Sequence, residues 1–441
     1  MLQLSDHYTL PRLLRFTLPS VSMMVFTSVY LVIDGFFVSN YVGKTALAAV
    51  NMVYPIIMII GSIGFMFGSG GSALTAAMLG EGENERAKKT FTLMYFFPMA
   101  IGLLISIPAF ILLPYICTLM GADGELLSYC SIYGRVLIST VILFIVQMES
   151  QMFFVTAERP KLGLVATVLG CGTNIVLDWL FCAVFRWGIK GAAAATAISQ
   201  AVGGLIPLLY FTFAKNHKLH FVKTKLDWKA IRKSASNGFS ELLSNTSSSI
   251  VAMLFNFQLM RIVGEDGVAA YSVLMYVNLV FLASFIGFSS GSSPLISFNY
   301  GSENHRELKG LFKKISMLII VTSVIMLLLS FILAKPLSYI FVGYDKDLFD
   351  MTVRAFYIYA FSFLFAGINI FASSFFTALN NGKISAILSF LRTFILPCTL
   401  VMILPQILNL DGIWATLVVA EAIAFFVSLA YLVTMRKRYH Y

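Results

Sequence analysis

Charged residues are scarce in this sequence. Asp, Glu, Lys and Arg together make up 12% of the 441 residues, against roughly 25% in soluble domains. The longest polar stretch, residues 215–233, has the length of a loop, so no soluble domain is expected. Walker A, HExxH and GxSxG sequences are missing as well. We therefore expect neither an enzyme nor an ATP-driven step within this chain.

Cysteines are also few, and no two of them form a CxxC pair. We expect all five to pack as small apolar side chains, with no disulfide, no metal site and no cofactor. Their positions are Cys117, Cys130, Cys171, Cys182 and Cys398. No cleavable signal peptide is expected either, because the first apolar run is too long and lacks a small-residue cleavage site.

Apolar residues dominate what remains. They form 59% of the chain, and the mean hydropathy is +0.85. Apolar runs of about 20 residues or more, the length that crosses a bilayer, recur from end to end. The sequence predicts an all-α integral membrane protein with twelve transmembrane helices. We place them at residues 13–39, 45–78, 90–113, 125–156, 161–184, 191–214, 232–262, 267–300, 310–333, 349–378, 383–406 and 412–435.

The basic residues follow this topology. With the N-terminus inside, 22 of the 31 Lys and Arg residues fall in inner segments and 7 in outer loops. Positive charge concentrates on the cytoplasmic side of membrane proteins, so the sequence predicts that both termini lie inside. The net charge of +10 then reflects membrane topology, and no nucleic-acid partner is expected.

An internal repeat relates the two halves of the chain. One offset of 221 residues pairs Gly43 with Gly264 and Gly80 with Gly301, and later Gly191 with Gly412. Because each half has six spans, the halves share one orientation and form a parallel repeat of two six-helix bundles, which is typical of secondary transporters. We predict a first lobe at residues 1–214, a cytoplasmic linker at 215–231 and a second lobe at 232–441.

The linker lies in a basic segment, Phe213–Lys233, that faces the cytoplasm. Two interpretations are open: contact with anionic lipid headgroups, or a solvated loop whose charges only set the topology. We favour the solvated loop.

Four polar residues fall at one depth in the outer half of the first lobe. Asn174 and Asp178 are four residues apart and therefore share a helix face. A carboxylate within a span costs about 2.5–3.5 kcal/mol, so it should face the protein interior or water. Asp34 and Thr196 lie at the same level, and the offset of 221 finds no such cluster in the second lobe. The oxygen atoms of this set suit a proton or Na⁺; alternatively, neighbouring amides satisfy the carboxylates, which then only pin the helices together.

Other intramembrane residues have several candidate roles. Glu241 could contact a cationic substrate, carry a second proton, or pair with Arg392. Glu149 is expected to snorkel or gate near the cytoplasmic end of its span, Glu421 to occupy a polar packing position, and Arg135 has no assigned partner. Further candidates for a substrate or second proton site are Asn51, Gln200, Tyr133 and Gln147.

Three motifs carry a family resemblance. Pro19 precedes Asp34 by fifteen residues, NIVLDWLF spans Asn174–Phe181, and GIKGAAAATAISQ spans Gly188–Gln200. Together they resemble the multidrug and toxin extrusion (MATE) transporters over essentially the whole chain. The sequence is similar to the MepA-like bacterial branch, with a cation site like that of DinF-type members.

The resemblance implies an antiporter that exports hydrophobic organic cations by alternating access. H⁺ or Na⁺ would enter at the four first-lobe residues Asp34, Asn174, Asp178 and Thr196, and Pro19 would act as a hinge. It further implies a monomer in the bilayer of a bacterial cytoplasmic membrane. The tenth span carries Asn369 where some relatives have an acid, so no Na⁺ site is expected in the second lobe.

Three other functions remain open at this point. A lipid-linked oligosaccharide flippase of the same superfamily needs a strongly cationic cavity, whereas only Arg135 and Arg392 lie within spans. A non-transporting scaffold or sensor gains little from buried acids. A channel is also possible, although the two-lobe repeat favours alternating access.

Overall fold

The computed structural model describes residues 3–213 and 217–441, and this part of the chain is helical without any strand. The helices are α1 Leu10–Phe37, α2 Lys44–Gly80, α3 Asn84–Leu119, α4 Gly124–Thr156, α5 Pro160–Asp178, α6 Ile189–Phe213, α7 Trp228–Ile262, α8 Glu265–Gly301, α9 His305–Val342, α10 Lys346–Tyr359, α11 Ser362–Ala378, α12 Gly382–Phe390, α13 Leu396–Thr434 and α14 Arg436–Tyr439. Short π-helical segments, Val38–Val42, Trp179–Val184 and Leu391–Ile395, continue α1, α5 and α12.

The prediction of twelve spans is confirmed by the fold. Among the described residues, nine helices are long and apolar enough to cross a membrane, and α10 with α11, bent by 49°, makes a tenth. One of the nine, Gly382–Thr434, has 53 residues and breaks at Asn409 (φ 52°, ψ −131°), so it holds both the eleventh and the twelfth span. The remaining span is α7, whose serine-rich sequence makes it less apolar than the others.

The backbone repeats with the offset seen in the sequence. Helices α2 and α8 begin and end 221 residues apart, at Lys44 and Gly80 and at Glu265 and Gly301. Left-handed residues recur at the same offset. Gly43 (φ 122°) and Gly264 (φ 83°) precede α2 and α8, and Gly188 (φ 63°) and Asn409 (φ 52°) precede the sixth and twelfth spans. The predicted parallel repeat is therefore confirmed.

The two lobes meet where small residues let backbones approach. Helix α1 packs on α8, and α2 packs on both α7 and α8. A Cβ atom on Gly70 would meet the backbone of Gly238, and one on Gly301 would meet the carbonyl of Ala77. These residues belong to the inner halves of their spans, so the close lobe contacts lie on the side predicted to face the cytoplasm.

The chain before α1 forms a strap between the lobes, which we call the N-terminal strap (residues 3–9). The backbone N–H of Tyr8 donates to Glu307 at the start of α9 (3.0 Å), and His7 Nδ1 lies 2.6 Å from the same carboxylate. The backbone N–H of Leu4 donates to Glu158, between α4 and α5, at 2.7 Å. One short segment thus contacts an acid of each lobe.

Two side chains of the strap, Leu4 and Tyr8, are buried. Tyr8 is fully buried, and its hydroxyl donates to the carbonyl of Gln3 at 2.7 Å. Burial, together with the nearby carboxylates of Asp6, Glu158 and Glu307, raises the pKa of Tyr8, so this phenol stays a donor at all ordinary pH values.

The linker differs from the solvated loop that we favoured. Leu219 is fully buried, Phe221 stacks on Phe91 with ring centroids 5.4 Å apart, and the Val222 N–H donates to Thr92 at 3.1 Å. The linker therefore packs against α3 because its apolar residues alternate with its lysines. Residues 214–216, where we placed the boundary between first lobe and linker, lie outside the described residues, and the lobe boundaries stay a prediction.

Candidate cation and substrate site

Three helices bring the predicted first-lobe cluster together. Helix α5 packs between α1 and α6, so Asp34 of α1, Asn174 and Asp178 of α5, and Thr196 of α6 can reach one another. All four are buried, with Asn174 and Asp178 fully so. Tyr133 of α4 belongs to the same set, since it lies close to Thr196 and to both carboxyl groups.

The two carboxyl groups face each other. Asp34 and Asp178 lie close enough together for the charge of one to act on the other. Two ionised carboxylates at such range repel, so the pair is stable only with a proton or a cation between them. Among described residues, neither oxygen of Asp178 and neither side-chain polar atom of Asn174 has a hydrogen-bond partner. No described amide hydrogen-bonds to Asp178, and both the cation site and the structural alternative stay predictions.

Tyrosines surround this pair, and two of them, Tyr30 and Tyr54, were not among the predicted site residues. Tyr30 and Tyr54 are half-buried and lie close enough to Asp34 for its charge to act on them. Phenols offer both a donor and an acceptor, which suits a site whose charge changes. The sequence does indicate Tyr30, because Tyr30 precedes Asp34 by four residues and so shares its helix face.

The π-helical segments lie beside the intramembrane ionisable residues. Trp179–Val184 begins directly after Asp178, and Val38–Val42 begins four residues after Asp34. Such segments leave a backbone group out of the regular hydrogen-bond pattern and are frequent at functional sites. The irregular backbone thus coincides with the candidate cation site, which the sequence did not indicate.

The further candidates do not form one cluster. Tyr133 and Gln147 are buried in α4, where the Gln147 amide packs against Gly203 of α6. Gln200 accepts a hydrogen bond from the Thr140 hydroxyl at 2.8 Å. Asn51 is exposed on α2. Of these candidates, Tyr133 lies beside the four-residue cluster, close to Thr196.

In the second lobe the structure corrects one proposed pair. Arg392 does not bind Glu241. It binds Glu421, with its Nε 2.8 and 3.0 Å from the two carboxylate oxygens. Asn369 donates to the same carboxylate at 2.7 Å. Glu421 is therefore an ion-pair partner as well as a packing residue, and Glu241, half-buried on α7, keeps its carboxylate free of hydrogen bonds to other described side chains.

Two further expectations change. Glu149 is fully buried and does not snorkel, because α4 crosses α2 at Gly68, whose Cβ would lie 2.8 Å from the Glu149 Cα. Arg135 is exposed and its guanidinium lies over the ring of Phe110, 5.4 Å from the centroid. A cation over an aromatic face is an attractive arrangement, so Phe110 is the partner that the sequence did not reveal.

Pro19 lies at the lobe contact. It is buried within α1, which continues through it from Leu10 to Phe37. The adjacent Ser20 and Val21 meet Gly291 and Gly287 of α8. Proline removes one helical hydrogen bond, so α1 is weakest where it contacts the second lobe. The hinge role of Pro19 stays a prediction.

One family model, MatE, matches residues 19–180 and again residues 242–403, one match on each half. Together the two matches cover well over half of the chain. The chain belongs to the MatE family. This confirms the resemblance, and the family places the chain among multi-pass membrane transporters.

Similar proteins include multidrug export proteins. MepA of Staphylococcus haemolyticus (strain JCSC1435) is 23% identical over 436 residues, which cover 97% of this chain and 94% of that protein. MepA of Staphylococcus aureus (strain MSSA476) is 22% identical over 434 residues with the same coverage. These bacterial relatives and the apolar helices agree with the predicted location in a bacterial cytoplasmic membrane.

Solved MATE structures share the fold. A crystal structure of MATE in complex with MaL6 superposes with a TM-score of 0.93 at 21% identity, covering 98% of each chain. A multidrug resistance MATE transporter in an outward-facing conformation gives 0.91 at 21% identity, covering 97% and 96%. A MOP superfamily transporter of Pyrococcus furiosus Vc1 (DSM3638), whose pocket of reversed polarity suggests a different function for that protein, gives 0.92 at 21% identity, covering 99% and 98%.

Proposed function

We propose that this MatE-family protein is a secondary antiporter that exports hydrophobic organic cations in exchange for H⁺ or Na⁺. The observation that carries the proposal is the facing pair of buried carboxyl groups, Asp34 and Asp178, in the first lobe. Such a pair binds one positive charge strongly when isolated and releases it when a second cation or water reaches it. The gradient of the coupling ion drives export if the ion enters this site only when the substrate leaves.

The ligand chemistry restricts the coupling ion. Asp34, Asp178, the amide oxygen of Asn174 and the hydroxyl of Thr196 offer only oxygen ligands, which suit a proton or a hard cation such as Na⁺. Thr196 now donates to the carbonyl of Ala192 at 3.0 Å, and its oxygen keeps lone pairs for a cation. Neither ion requires a resident cofactor.

The substrate class follows from charge and surroundings. Arg392 pairs with Glu421, so Glu241, the acid of α7, has no ion pair with it. Glu241 can therefore attract a cation without first giving up a partner. Candidates for further substrate contacts are Asn51, Tyr133, Gln147 and Gln200. The MepA relatives are multidrug export proteins, which supports a broad range of small hydrophobic cations. The transporter would act as a monomer in the bilayer.

Alternating access fits the way that the lobes touch. The close contacts, such as those of Gly70 with Gly238 and of Gly301 with Ala77, lie on the inner side. This arrangement corresponds to a conformation closed toward the cytoplasm. Opening inward requires these contacts to separate, and Pro19 lies where α1 can bend as they do so.

The flippase alternative is less well supported. A lipid pyrophosphate needs a strongly cationic cavity, but Arg392 is neutralised by Glu421, and Arg135 lies on the exposed surface over Phe110. A scaffold would have no use for the two facing carboxyl groups of Asp34 and Asp178, which are unfavourable unless they bind something.

The test is ethidium efflux from proteoliposomes, with pH and Na⁺ gradients imposed separately. We expect one gradient to drive efflux, and Asp34→Asn and Asp178→Asn each to abolish it while the protein still inserts and stays monodisperse. Asp123→Asn is the matched control, because Asp123 is exposed before α4 and its side chain makes no capping hydrogen bond. Normal efflux in both buried variants, or equal loss in the control, would contradict the proposal.

A further inference from the structure

A basic cavity opens on the inner side between α1 and α5, away from the cation site. Its volume is about 800 Å³, and it is lined by Arg12, Arg15, Arg159 and Lys161, with Asp6 and Glu158 at its edge. The cavity therefore holds four cations against two acids. We call it the α1–α5 cavity.

The cations of this cavity have no acidic partners. In residues 3–213 and 217–441, none of the four makes a salt bridge. The acid at the edge is already engaged, because Glu158 accepts from Lys218 and from the N–H of Leu4, both at 2.7 Å. Within the described part of the chain, the guanidinium of Arg159 has one hydrogen bond, to Nδ1 of His217 at 3.2 Å. The cavity thus keeps a net positive charge, because its two acids offset only part of the charge of its four cations.

Apolar surface continues from the cavity along α5. Leu162 lines the cavity, and Val165 and Leu169 follow at helical spacing, so the three share one face. Their side chains are 38%, 52% and 50% exposed. This face lies within a predicted span and therefore meets the acyl region of the membrane. A ligand that fits both parts has an anionic head and a hydrocarbon tail.

We propose that the α1–α5 cavity binds the phosphate headgroup of an anionic phospholipid from the inner leaflet. Basic pockets between transmembrane helices on the cytoplasmic side are suited to such headgroups. Guanidinium groups of Arg12 and Arg15 can hold phosphate oxygens through paired N–H donors, and Lys161 adds a point charge at the rim. The acyl chain then lies along Leu162, Val165 and Leu169.

The cavity's position gives the lipid a role in the lobe contact. Asp6 belongs to the N-terminal strap, and Glu158 holds that strap to the first lobe. A headgroup bound there places its negative charge among the four cations, directly beside the strap. The lipid would thus stabilise the first-lobe end of the connection between the lobes.

The experiment measures lipid retention by the purified full-length protein in nonionic detergent, using native mass spectrometry. Phosphatidylglycerol is the probe, phosphatidylethanolamine the zwitterionic comparison, and glycerol 1-phosphate the soluble headgroup. We expect phosphatidylglycerol to bind best, and the double variant Arg15→Gln/Lys161→Gln to weaken its binding about 30-fold. The charge-preserving variant Arg15→Lys/Lys161→Arg should retain most of the affinity.

The matched control removes the same charge elsewhere on the inner side. Lys223→Gln/Lys225→Gln changes two exposed lysines of the linker, and we expect its affinity to stay within about threefold of the original. If the double variant of the cavity fails to fold, Lys161→Gln alone, at an exposed position, should weaken binding about fivefold. Equal weakening in the control, equal binding of phosphatidylethanolamine, or equally tight binding of glycerol 1-phosphate would each overturn the proposal.

Discussion

Arg392 of the eleventh span forms a salt bridge with both carboxylate oxygens of Glu421 in the twelfth span. The arginine Nε lies 2.8 and 3.0 Å from the two carboxylate oxygens, and Asn369 of the tenth span donates to the same group at 2.7 Å. Three spans of the second lobe are therefore held by one polar network. The network also offsets the charge of Arg392 within the membrane-spanning part of that lobe.

Glu421→Ala should destabilise the protein strongly. Only 16% of the Arg392 side chain is exposed, so removing its partner leaves a largely buried charge, at a cost of about 3–5 kcal/mol. The measurement is thermal unfolding of the purified protein in detergent. Glu241→Gln serves as the control, because Glu241 lies near Arg392 without binding it, and we expect a much smaller loss.

A double variant separates the two causes of that loss. Arg392→Met/Glu421→Leu removes both charges and keeps apolar volume, so it should recover most of the stability lost in Glu421→Ala. A melting temperature as low as that of the single variant would show that shape, and not the unpaired charge, causes the effect.

The N-terminal strap should open when Glu307 is removed. Glu307→Ala deletes the acceptor of the Tyr8 N–H and of His7, and hydrogen bonds to a charged group contribute about 1.5–3 kcal/mol each. Hydrogen exchange measured by mass spectrometry should show at least about tenfold faster exchange in the strap. Glu85→Ala is the control, because this exposed carboxylate pairs with Lys88 outside the strap. Unchanged exchange in Glu307→Ala would mean that the strap is held by its other contacts, which are the burial of Leu4 and Tyr8 and the hydrogen bond from Leu4 to Glu158.

Much of the fold could be predicted because the membrane imposes it. Apolar runs locate spans whatever their packing, and the offset of 221 residues appears in the backbone as well, down to the left-handed residues Gly188 and Asn409. The linker was misjudged for a physical reason. Its five lysines hid Leu219 and Phe221, which pack on α3, and a charge count does not reveal which side chains alternate with the charges.

The candidate site was partly predictable. Asp34 and Asp178 were found because a carboxylate within a span demands an explanation. The partners of Arg392 and Arg135 were missed because they come from other spans, and their pairing depends on helix rotation that hydropathy does not report. The π-helical segments were also missed, since no residue type marks them. That Asp34 and Asp178 bind the coupling ion stays a prediction.

Gly238→Ala should disturb the closed inner side. A methyl group there would meet the carbonyl of Met66 and the backbone N of Gly70, neither of which can move like a flexible side chain. We expect a loss of about 1–3 kcal/mol and a shift away from the conformation closed toward the cytoplasm. The measurements are transport in proteoliposomes and the melting temperature in detergent.

The matched control is another helical glycine. Gly172 of α5 has no atom within 4 Å of an added Cβ, so Gly172→Ala should keep or slightly raise stability, because alanine favours the helix by about 1 kcal/mol. Equal damage from both substitutions would show that the close lobe contact is not what makes Gly238 sensitive.

Glu149→Gln should be tolerated, although Glu149 is one of the most buried acids of the chain. Neither of its oxygens has a hydrogen-bond partner among the described residues, and the residue is fully buried between α2 and α4. An unpaired charge at that depth is very costly, so a neutral side chain of the same shape removes a liability. We expect an equal or higher melting temperature for Glu149→Gln, whereas Glu149→Ala, which opens a cavity, should lose about 2–4 kcal/mol. A lower melting temperature in Glu149→Gln would mean that the carboxylate is charged and paired in the folded protein. If the temperature is kept while ethidium efflux stops, Glu149 carries a proton during transport and is not the passive packing residue that its surroundings indicate.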